Sequence, residues 1–176
     1  MCGITGYISP EDKNGPAMLE ALHHRGPDHT GNYSAQIGDH KVYLGHKRLS
    51  IIDLSVNGHQ PMKNADGSVI LVYNGEVYNF QELKQTYLKG QSFHSHTDTE
   101  VILKLYELKG IGFLELLNGD FAISILDTRT NKLHLIRDRM GVKPLYFYSN
   151  GSELLFGSEI KSILAGGVSA RLNTAC

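Results

Sequence analysis

The N-terminal stretch Cys2-Gly-Ile-Thr-Gly-Tyr-Ile8 is the most informative part of this chain, because it predicts a strand that begins with a thiol. Its run of small and apolar residues is typical of a buried β-strand. Once Met1 is removed, Cys2 carries both a thiol and a free α-amine, with unperturbed pKa values of about 8.5 and about 7.7–8.0. The amine can then accept the thiol proton near neutral pH. A structural interpretation, in which Cys2 only begins a buried strand, also fits the residue type.

The overall composition indicates one ordinary globular domain covering residues 1–176. Hydrophobic residues make up 41% and charged residues 20% of the chain, and the formal net charge is -1. This balance gives no reason to expect nucleic acid or a membrane surface as a partner. There is also no long apolar run for a membrane span and no secretion leader. The two cysteines, Cys2 and Cys176, do not make a disulfide framework, so we expect a reducing, cytoplasmic location.

Hydrophobic patterning predicts two blocks of strands separated by helices, which favours stacked sheets flanked by helices. The Asn74-Gly75 pair is a turn signal, so we expect the preceding apolar strand to end there. Thr97 or Asp98 is expected to cap the second long helix, whose apolar face would include Val101, Leu105 and Leu108. The predicted helices cover residues 17–24, 80–88 and 98–109, and the predicted strands cover residues 2–8, 30–34, 41–46, 68–73, 121–126, 132–137, 145–148 and 154–156.

Five polar or flexible positions could together form a receptor for an amino acid. Arg48 follows a predicted strand and offers a planar fork suited to a carboxylate. The Asn74 amide and the Gly75 N–H are candidate oxyanion donors at the end of another strand. Glu76 and Asp98 add two carboxylates able to hold an ammonium group. Each of these residues also has an ordinary structural interpretation, as a surface charge, a turn or a helix cap.

Nine sequence blocks occur in one order along residues 2–165. They are Cys2-Gly-Ile-Thr-Gly6, His24-Arg-Gly-Pro-Asp28, Leu44-Gly-His-Lys-Arg-Leu-Ser-Ile-Ile-Asp-Leu54, Gly58-His-Gln-Pro-Met62, Tyr73-Asn-Gly-Glu-Val-Tyr-Asn79, Thr97-Asp-Thr-Glu-Val-Ile-Leu103, Leu117-Asn-Gly-Asp-Phe-Ala122, Arg137-Asp-Arg-Met-Gly-Val-Lys-Pro-Leu-Tyr146 and Ser158-Glu-Ile-Lys161. Together they resemble the glutaminase domain of glutamine-hydrolysing asparagine synthetases. These are class II glutamine amidotransferases with an N-terminal nucleophile.

The resemblance implies an α+β fold, a four-layer α/β/β/α sandwich of two antiparallel sheets. It also implies that Cys2 attacks the side-chain amide of L-glutamine and that Asn74 and Gly75 form the oxyanion hole. Arg48 would bind the glutamine α-carboxylate, while Glu76 and Asp98 would hold its α-amine. The pocket would further be lined by Leu49, Ser50, Ile51 and Ile52.

The implied reaction is thioester formation with loss of ammonia, followed by hydrolysis to glutamate, and it needs no metal or organic cofactor. His94, His96 and Asp98 alternate in a way that suits zinc ligands, but with no fourth ligand in view we expect no metal there. An ATP-dependent synthetase domain, which would use ATP and Mg²⁺, is absent from the printed sequence, so the ammonia acceptor would be such a domain or a separate subunit. The oligomeric state is left open, with a homodimer as one candidate.

Two other functions stay open from the sequence. The chain could supply ammonia to a different amide-forming synthetase. It could also be a catalytically quiet, glutamine-binding regulatory module, which would be favoured if Met1 were retained, because Cys2 would then lack its own amine as a base.

Overall fold

Two antiparallel sheets form the centre of the structure, a computed structural model that describes residues 1–170. The elements in chain order are β1 (Gly3–Ser9), α1 (Gly15–Glu20), β2 (His29–Ile37), β3 (His40–Arg48), β4 (Met62–Lys63), β5 (Val69–Val77), α2 (Phe80–Tyr87), α3 (Asp98–Lys109), β6 (Gly119–Asp127), β7 (Lys132–Arg137), β8 (Tyr146–Ser149), β9 (Leu154–Gly157) and α4 (Ile160–Ala165). Short 3₁₀ helices cover His23–Arg25, Val56–Gly58 and Gly110–Leu116.

The strand order places the N-terminus of the chain in the middle of one sheet. The first sheet has the order β2-β3-β1-β9-β8, and the second has the order β4-β5-β6-β7. All strand pairs within both sheets are antiparallel. Because β1 pairs on one side with β3 and on the other with β9, the residue that precedes β1 is held at a defined place.

Three apolar layers explain why the sheets stack and why helices cover both outer faces. Ile4 and Leu44 of the first sheet pack with Val72 and other residues of the second sheet in the central layer. The outer face of the second sheet packs against α2 and α3, and that of the first against α1 and α4. This arrangement confirms the predicted four-layer sandwich of two antiparallel sheets. None of the helices within residues 1–170 has the length and apolar character required to cross a membrane.

Local signals located several elements correctly. Helix α3 and strand β7 have the predicted bounds, and the Thr97 hydroxyl accepts a hydrogen bond from the Glu100 N–H at 3.4 Å, as a helix cap does. Helix α1 begins two residues earlier than predicted, because the Asn14 side chain caps it by accepting from the Ala17 N–H at 3.1 Å. It also ends earlier, and a separate 3₁₀ helix follows.

Two expectations were wrong. The strand β5 does not end at Asn74-Gly75 but continues to Val77, because both residues stay in register with β6. Gly75 is needed there for close approach rather than for a turn, since a Cβ at this position would lie 2.7 Å from the Phe121 Cα atom. Leu108 does not join the apolar face of α3: it lies in the last turn of the helix and is 53% exposed, whereas Phe113 of the following 3₁₀ helix is buried in that core.

Candidate active site

Cys2 lies immediately before β1, and its sulfur contacts the residue that follows β3. The Leu49 N–H donates to the Cys2 Sγ atom at 3.4 Å. The thiol in turn donates to the Leu49 carbonyl at 3.6 Å. Burial raises the pKa of the Cys2 thiol, while the Leu49 hydrogen bond and the nearby positive charges act in the opposite direction. A thiol in this environment needs a neighbouring base to become a nucleophile.

The backbone of Cys2 is anchored by a buried cation. The Arg25 Nε atom donates to the Cys2 carbonyl at 2.9 Å, and its guanidinium also pairs with Glu159 at 3.0 Å. Two residues further, the Ile4 N–H donates to the Ser158 hydroxyl at 3.0 Å. These contacts fix the start of β1, so the Cys2 side chain has a defined position relative to both sheets.

Cys2 opens onto a cavity of about 140 Å³ at the ends of β3 and β5 and the start of α3. Ser50 does not line the cavity, and its N–H donates to the Asp28 carboxylate at 2.7 Å. Its assignment to the substrate pocket stays a prediction. The predicted site residues that do line the cavity are Cys2, Arg48, Leu49, Ile51, Ile52, Asn74, Gly75, Glu76 and Asp98.

One edge of β5 faces this cavity with its backbone groups. The Tyr78 N–H donates to the Asn118 carbonyl at 2.8 Å, which extends the β5–β6 ladder by one pair. In an antiparallel ladder, alternate residues direct their N–H and C=O groups to opposite sides. Residues 73, 75 and 77 therefore direct their backbone groups away from β6.

Side chains from other elements occupy the outward groups of Tyr73. The Tyr73 N–H donates to the Gln60 side-chain oxygen at 2.6 Å, and the His46 Nε2 atom lies 3.1 Å from the Tyr73 carbonyl. Because a carbonyl can only accept, His46 donates from Nε2. Complete burial lowers the pKa of His46 to about 3, so the ring is neutral at physiological pH.

Gly75 is the exception along this edge. The Val77 N–H donates to the Asp98 Oδ2 atom at 3.0 Å, whereas the Gly75 N–H has no acceptor among residues 1–170. The adjacent Asn74 side chain is 2% exposed, and its Nδ2 atom is buried without a partner in the described part of the chain. Buried donors without acceptors are costly and rare. The buried Asn74 amide and the partly buried Gly75 N–H line the same cavity as the Cys2 thiol, so both are suited to an oxygen that a ligand supplies.

Arg48 is buried and held in place by the loop that follows β3. Its guanidinium donates to the Ser55 carbonyl at 2.9 Å and also to the Asp53 carbonyl. Hydrogen bonds from the N–H groups of His96 and Ser55 lower the pKa of the Asp53 carboxyl to about 2, so this loop is itself fastened to the start of α3. A guanidinium has five N–H donors, which leaves N–H groups of Arg48 for a carboxylate in the cavity.

Two carboxylates, those of Glu76 and Asp98, also line the cavity. The Asp98 Oδ2 atom accepts from the Tyr73 hydroxyl at 2.6 Å and from the Val77 N–H. Burial raises the pKa of Asp98, and burial together with the charge of Asp98 raises the pKa of Glu76. Because both shifts disfavour the charged forms, a bound cation would be stabilised here.

For some residues at the site, the sequence did not indicate which groups they contact. Gln60, His46 and Lys143 contact β5 or the cavity, and each belongs to a quoted block, but no local pattern indicated what it contacts. The alternating His94, His96 and Asp98 do not converge: the N–H groups of the two histidines are bonded to Glu100 and Asp53. Within residues 1–170, no group of three histidine, cysteine, aspartate or glutamate residues is arranged to hold a metal ion.

Two curated asparagine synthetases are similar in sequence to this chain. The chain is 43% identical over 173 residues to asparagine synthetase [glutamine-hydrolyzing] 2 of Bacillus subtilis, with 94% of this chain and 22% of the relative covered. It is 42% identical over 185 residues to putative asparagine synthetase [glutamine-hydrolyzing] 2 of Methanocaldococcus jannaschii, with 94% and 35% covered. The chain thus spans between about a fifth and about a third of the length of these relatives.

A solved structure supports the fold. The glutamine phosphoribosylpyrophosphate amidotransferase from B. subtilis, complexed with ADP and GMP, aligns with a TM-score of 0.78 at 22% identity, and the match covers 94% of this chain and 44% of that one. The family model described as "Glutamine amidotransferase domain" matches residues 1–175. The chain therefore belongs to the glutamine amidotransferase domain family, as the nine sequence blocks predicted.

Proposed function

We propose that this chain hydrolyses L-glutamine to glutamate and ammonia through a thioester on Cys2, and that the ammonia serves asparagine synthesis by an ATP-dependent synthetase. The observation that carries the proposal is a pair of donors, Asn74 Nδ2 and the Gly75 N–H, which have no acceptor among residues 1–170 and line the cavity that the Cys2 thiol also lines. Acyl transfer needs such donors where negative charge develops on the carbonyl oxygen.

In the first step, the Cys2 sulfur attacks the side-chain amide carbon of glutamine. After removal of Met1, the Cys2 α-amine takes the thiol proton, and the amide oxygen becomes an oxyanion that accepts from Asn74 and Gly75. The C–N bond then breaks, and the leaving nitrogen takes the proton from the α-amine and departs as ammonia. A thioester between Cys2 and the glutamyl group remains.

In the second step, a water molecule attacks the thioester carbon. The neutral α-amine of Cys2 accepts a proton from this water, and the same two donors stabilise the second oxyanion. When the C–S bond breaks, the sulfur regains a proton and glutamate is released. The nucleophile, the base and the oxyanion donors all come from the chain, so the proposed glutaminase reaction uses no cofactor.

The same cavity accounts for recognition of the amino acid part of glutamine. Arg48 would bind the α-carboxylate, with the backbone of the Leu49–Ile52 segment beside it. Glu76 and Asp98 would bind the α-ammonium, because two neighbouring carboxylates with raised pKa values are stabilised by a cation. Both ends of the substrate backbone would thus be fixed, while its side chain extends towards Cys2.

The wider assignments belong to this proposal as well. We propose that residues 1–176 form a single glutaminase domain and that ATP and Mg²⁺ act in a synthetase domain or subunit that receives the ammonia. The names of the curated relatives, which include glutamine-hydrolysing asparagine synthetases, support that partner. A cytoplasmic location suits a free thiol nucleophile, because an oxidising compartment favours disulfides.

The test is release of glutamate from glutamine by purified chain whose intact mass shows that Met1 has been removed. We expect release in this form, loss of release after alkylation of Cys2, and loss of release in Cys2→Ala with an unchanged circular dichroism spectrum. Normal activity in Cys2→Ala would contradict the assigned nucleophile. Glutamine binding without turnover in the Met1-free chain would instead indicate the quiet binding module.

A further inference from the structure

Lys143 occupies a braced position at the end of the segment that follows β7. The Asp138 Oδ2 atom accepts from the Lys143 N–H at 3.0 Å, and the Arg137 Nε atom donates to the Lys143 carbonyl at 2.8 Å. The Val142 N–H donates to the Asp138 carboxylate at 2.9 Å, and the Arg137 guanidinium donates to the Gly141 carbonyl at 2.6 Å. Both backbone groups of Lys143 are therefore fixed by charge-assisted hydrogen bonds, which are stronger than neutral ones.

This bracing directs the Lys143 side chain to the active-site cavity. Lys143 lines the cavity together with Cys2, Glu76 and Asp98. Its Nζ atom lies 3.8 Å from the Met1 Sδ atom, so the ammonium group is at the end of the cavity where the N-terminus lies. A thioether is a weak acceptor, and removal of Met1 in the proposed active form takes this contact away, so within residues 1–170 the charge of Lys143 has no strong partner.

The charges around Glu76 explain why a cation at this point matters. Burial and, to a smaller extent, the charge of Asp98 at the start of α3 raise the pKa of Glu76, and Lys143 lowers it. Other titratable groups also lie near Glu76. Asp120 is its partner in the β5–β6 register, and the remaining groups are the hydroxyls of Tyr73 and Tyr78 and the thiol of Cys2. Among the groups that act on Glu76 in the described structure, Lys143 is the cation.

We propose that Lys143 is a positioning residue of the substrate site, whose ammonium group balances Glu76 beside Asp98 and keeps this carboxylate pair charged to receive the substrate ammonium. The inference rests on the proposed function, because it takes Glu76 and Asp98 as the groups that bind the glutamine α-amine. It predicts that loss of Lys143 raises the pH below which glutamine binding weakens.

The test is the pH dependence of glutamine affinity, measured by calorimetry in a Cys2→Ala background that prevents turnover. Lys143→Met should leave the Kd for L-glutamine within about twofold at pH 8, far above the ordinary pKa of a glutamate side chain. The Kd of this variant should then rise relative to that of the parent as the pH is lowered to 5.5, because Lys143 lowers the pKa of Glu76 and its loss lets the carboxylate take up a proton at higher pH. Lys143→Arg should restore the parent behaviour.

Lys132→Met is the matched control, because Lys132 is an exposed lysine on β7 outside the cavity, and its loss changes the net charge by the same amount. A Kd ratio that does not change with pH, or an equal effect of Lys132→Met, would overturn the role of Lys143. Absence of glutamine binding at every pH would overturn both proposals. Binding with the expected pH dependence, but no glutamate release by the Met1-free chain with Cys2, would overturn the proposed function alone.

Discussion

The proposed role of Asn74 as an oxyanion donor gives a prediction that separates catalysis from stability. The Asn74 side chain is buried, its Nδ2 atom has no partner, and the described structure shows no hydrogen bond from its amide. Asn64 has a similar burial but opposite bonding: its Oδ1 atom accepts from the Val69 N–H at 2.9 Å, and its Nδ2 atom donates to Glu107 at 2.8 Å. Alanine substitutions at these two positions should therefore have opposite effects.

The expected magnitudes follow from these contacts. Asn74→Ala removes a donor that acts in the transition state, so kcat should fall about 10²–10³-fold, equivalent to about 2.7–4 kcal/mol. Its effect on unfolding should stay within about 1 kcal/mol, because the loss of packing is offset by removal of an unpaired buried donor, which costs about 1–3 kcal/mol. Asn64→Ala should cost about 1–3 kcal/mol of stability, because it leaves the Val69 N–H and Glu107 without their partner.

The assay is glutamate release at saturating glutamine, together with urea unfolding of the same preparations. Asn74→Ala should lower kcat while KM changes by less than about threefold, because the donor acts on developing charge rather than on the bound substrate. Asn64→Ala should retain kcat. A kcat for Asn74→Ala within fivefold of the parent, or a large loss of stability in that variant, would refute the assignment of Asn74 to the oxyanion hole.

Three further predictions test the close contact of Gly75 with β6, the binding of a carboxylate by Arg48, and the contribution of Asp127 to stability in acid. Gly75→Ala should destabilise the fold by about 1–3 kcal/mol in urea, because the added Cβ would meet the Asp120 carbonyl; unchanged stability would contradict the close contact. Arg48→Lys should raise KM at least about tenfold, and a KM within twofold would contradict a bidentate carboxylate. Hydrogen bonds from Arg129 lower the pKa of Asp127 to about 2, below its ordinary value, so this pair stabilises the fold fully above about pH 4 and less as the pH falls towards 2. Asp127→Asn should flatten urea stability over that range, and an unchanged acid dependence would contradict this role.

Elements with strong local signals could be predicted with their bounds. Helix α3 begins after the Thr97 cap and ends at Lys109, where Gly110 adopts a positive φ of 57°. Both signals act within one turn of the helix, so no distant residue is needed to place them. The Asn74-Gly75 pair shows the opposite case, because its turn signal is overridden by nine residue pairs between β5 and β6. Local propensity is weak compared with a complete ladder.

The sequence by itself determined the family and indicated the candidate site residues: a cysteine at position 2, an arginine, an Asn-Gly pair and two carboxylates. The tertiary structure decided what these residues contact. Along the edge of β5 that faces away from β6, Gln60, His46 and Asp98 bond the backbone groups of Tyr73 and Val77, whereas the Gly75 N–H has no acceptor among residues 1–170. Lys143 enters the site because a braced segment 67 positions after Glu76 returns to it. Contacts of this kind join residues far apart in the chain, and local patterns contain no information about them.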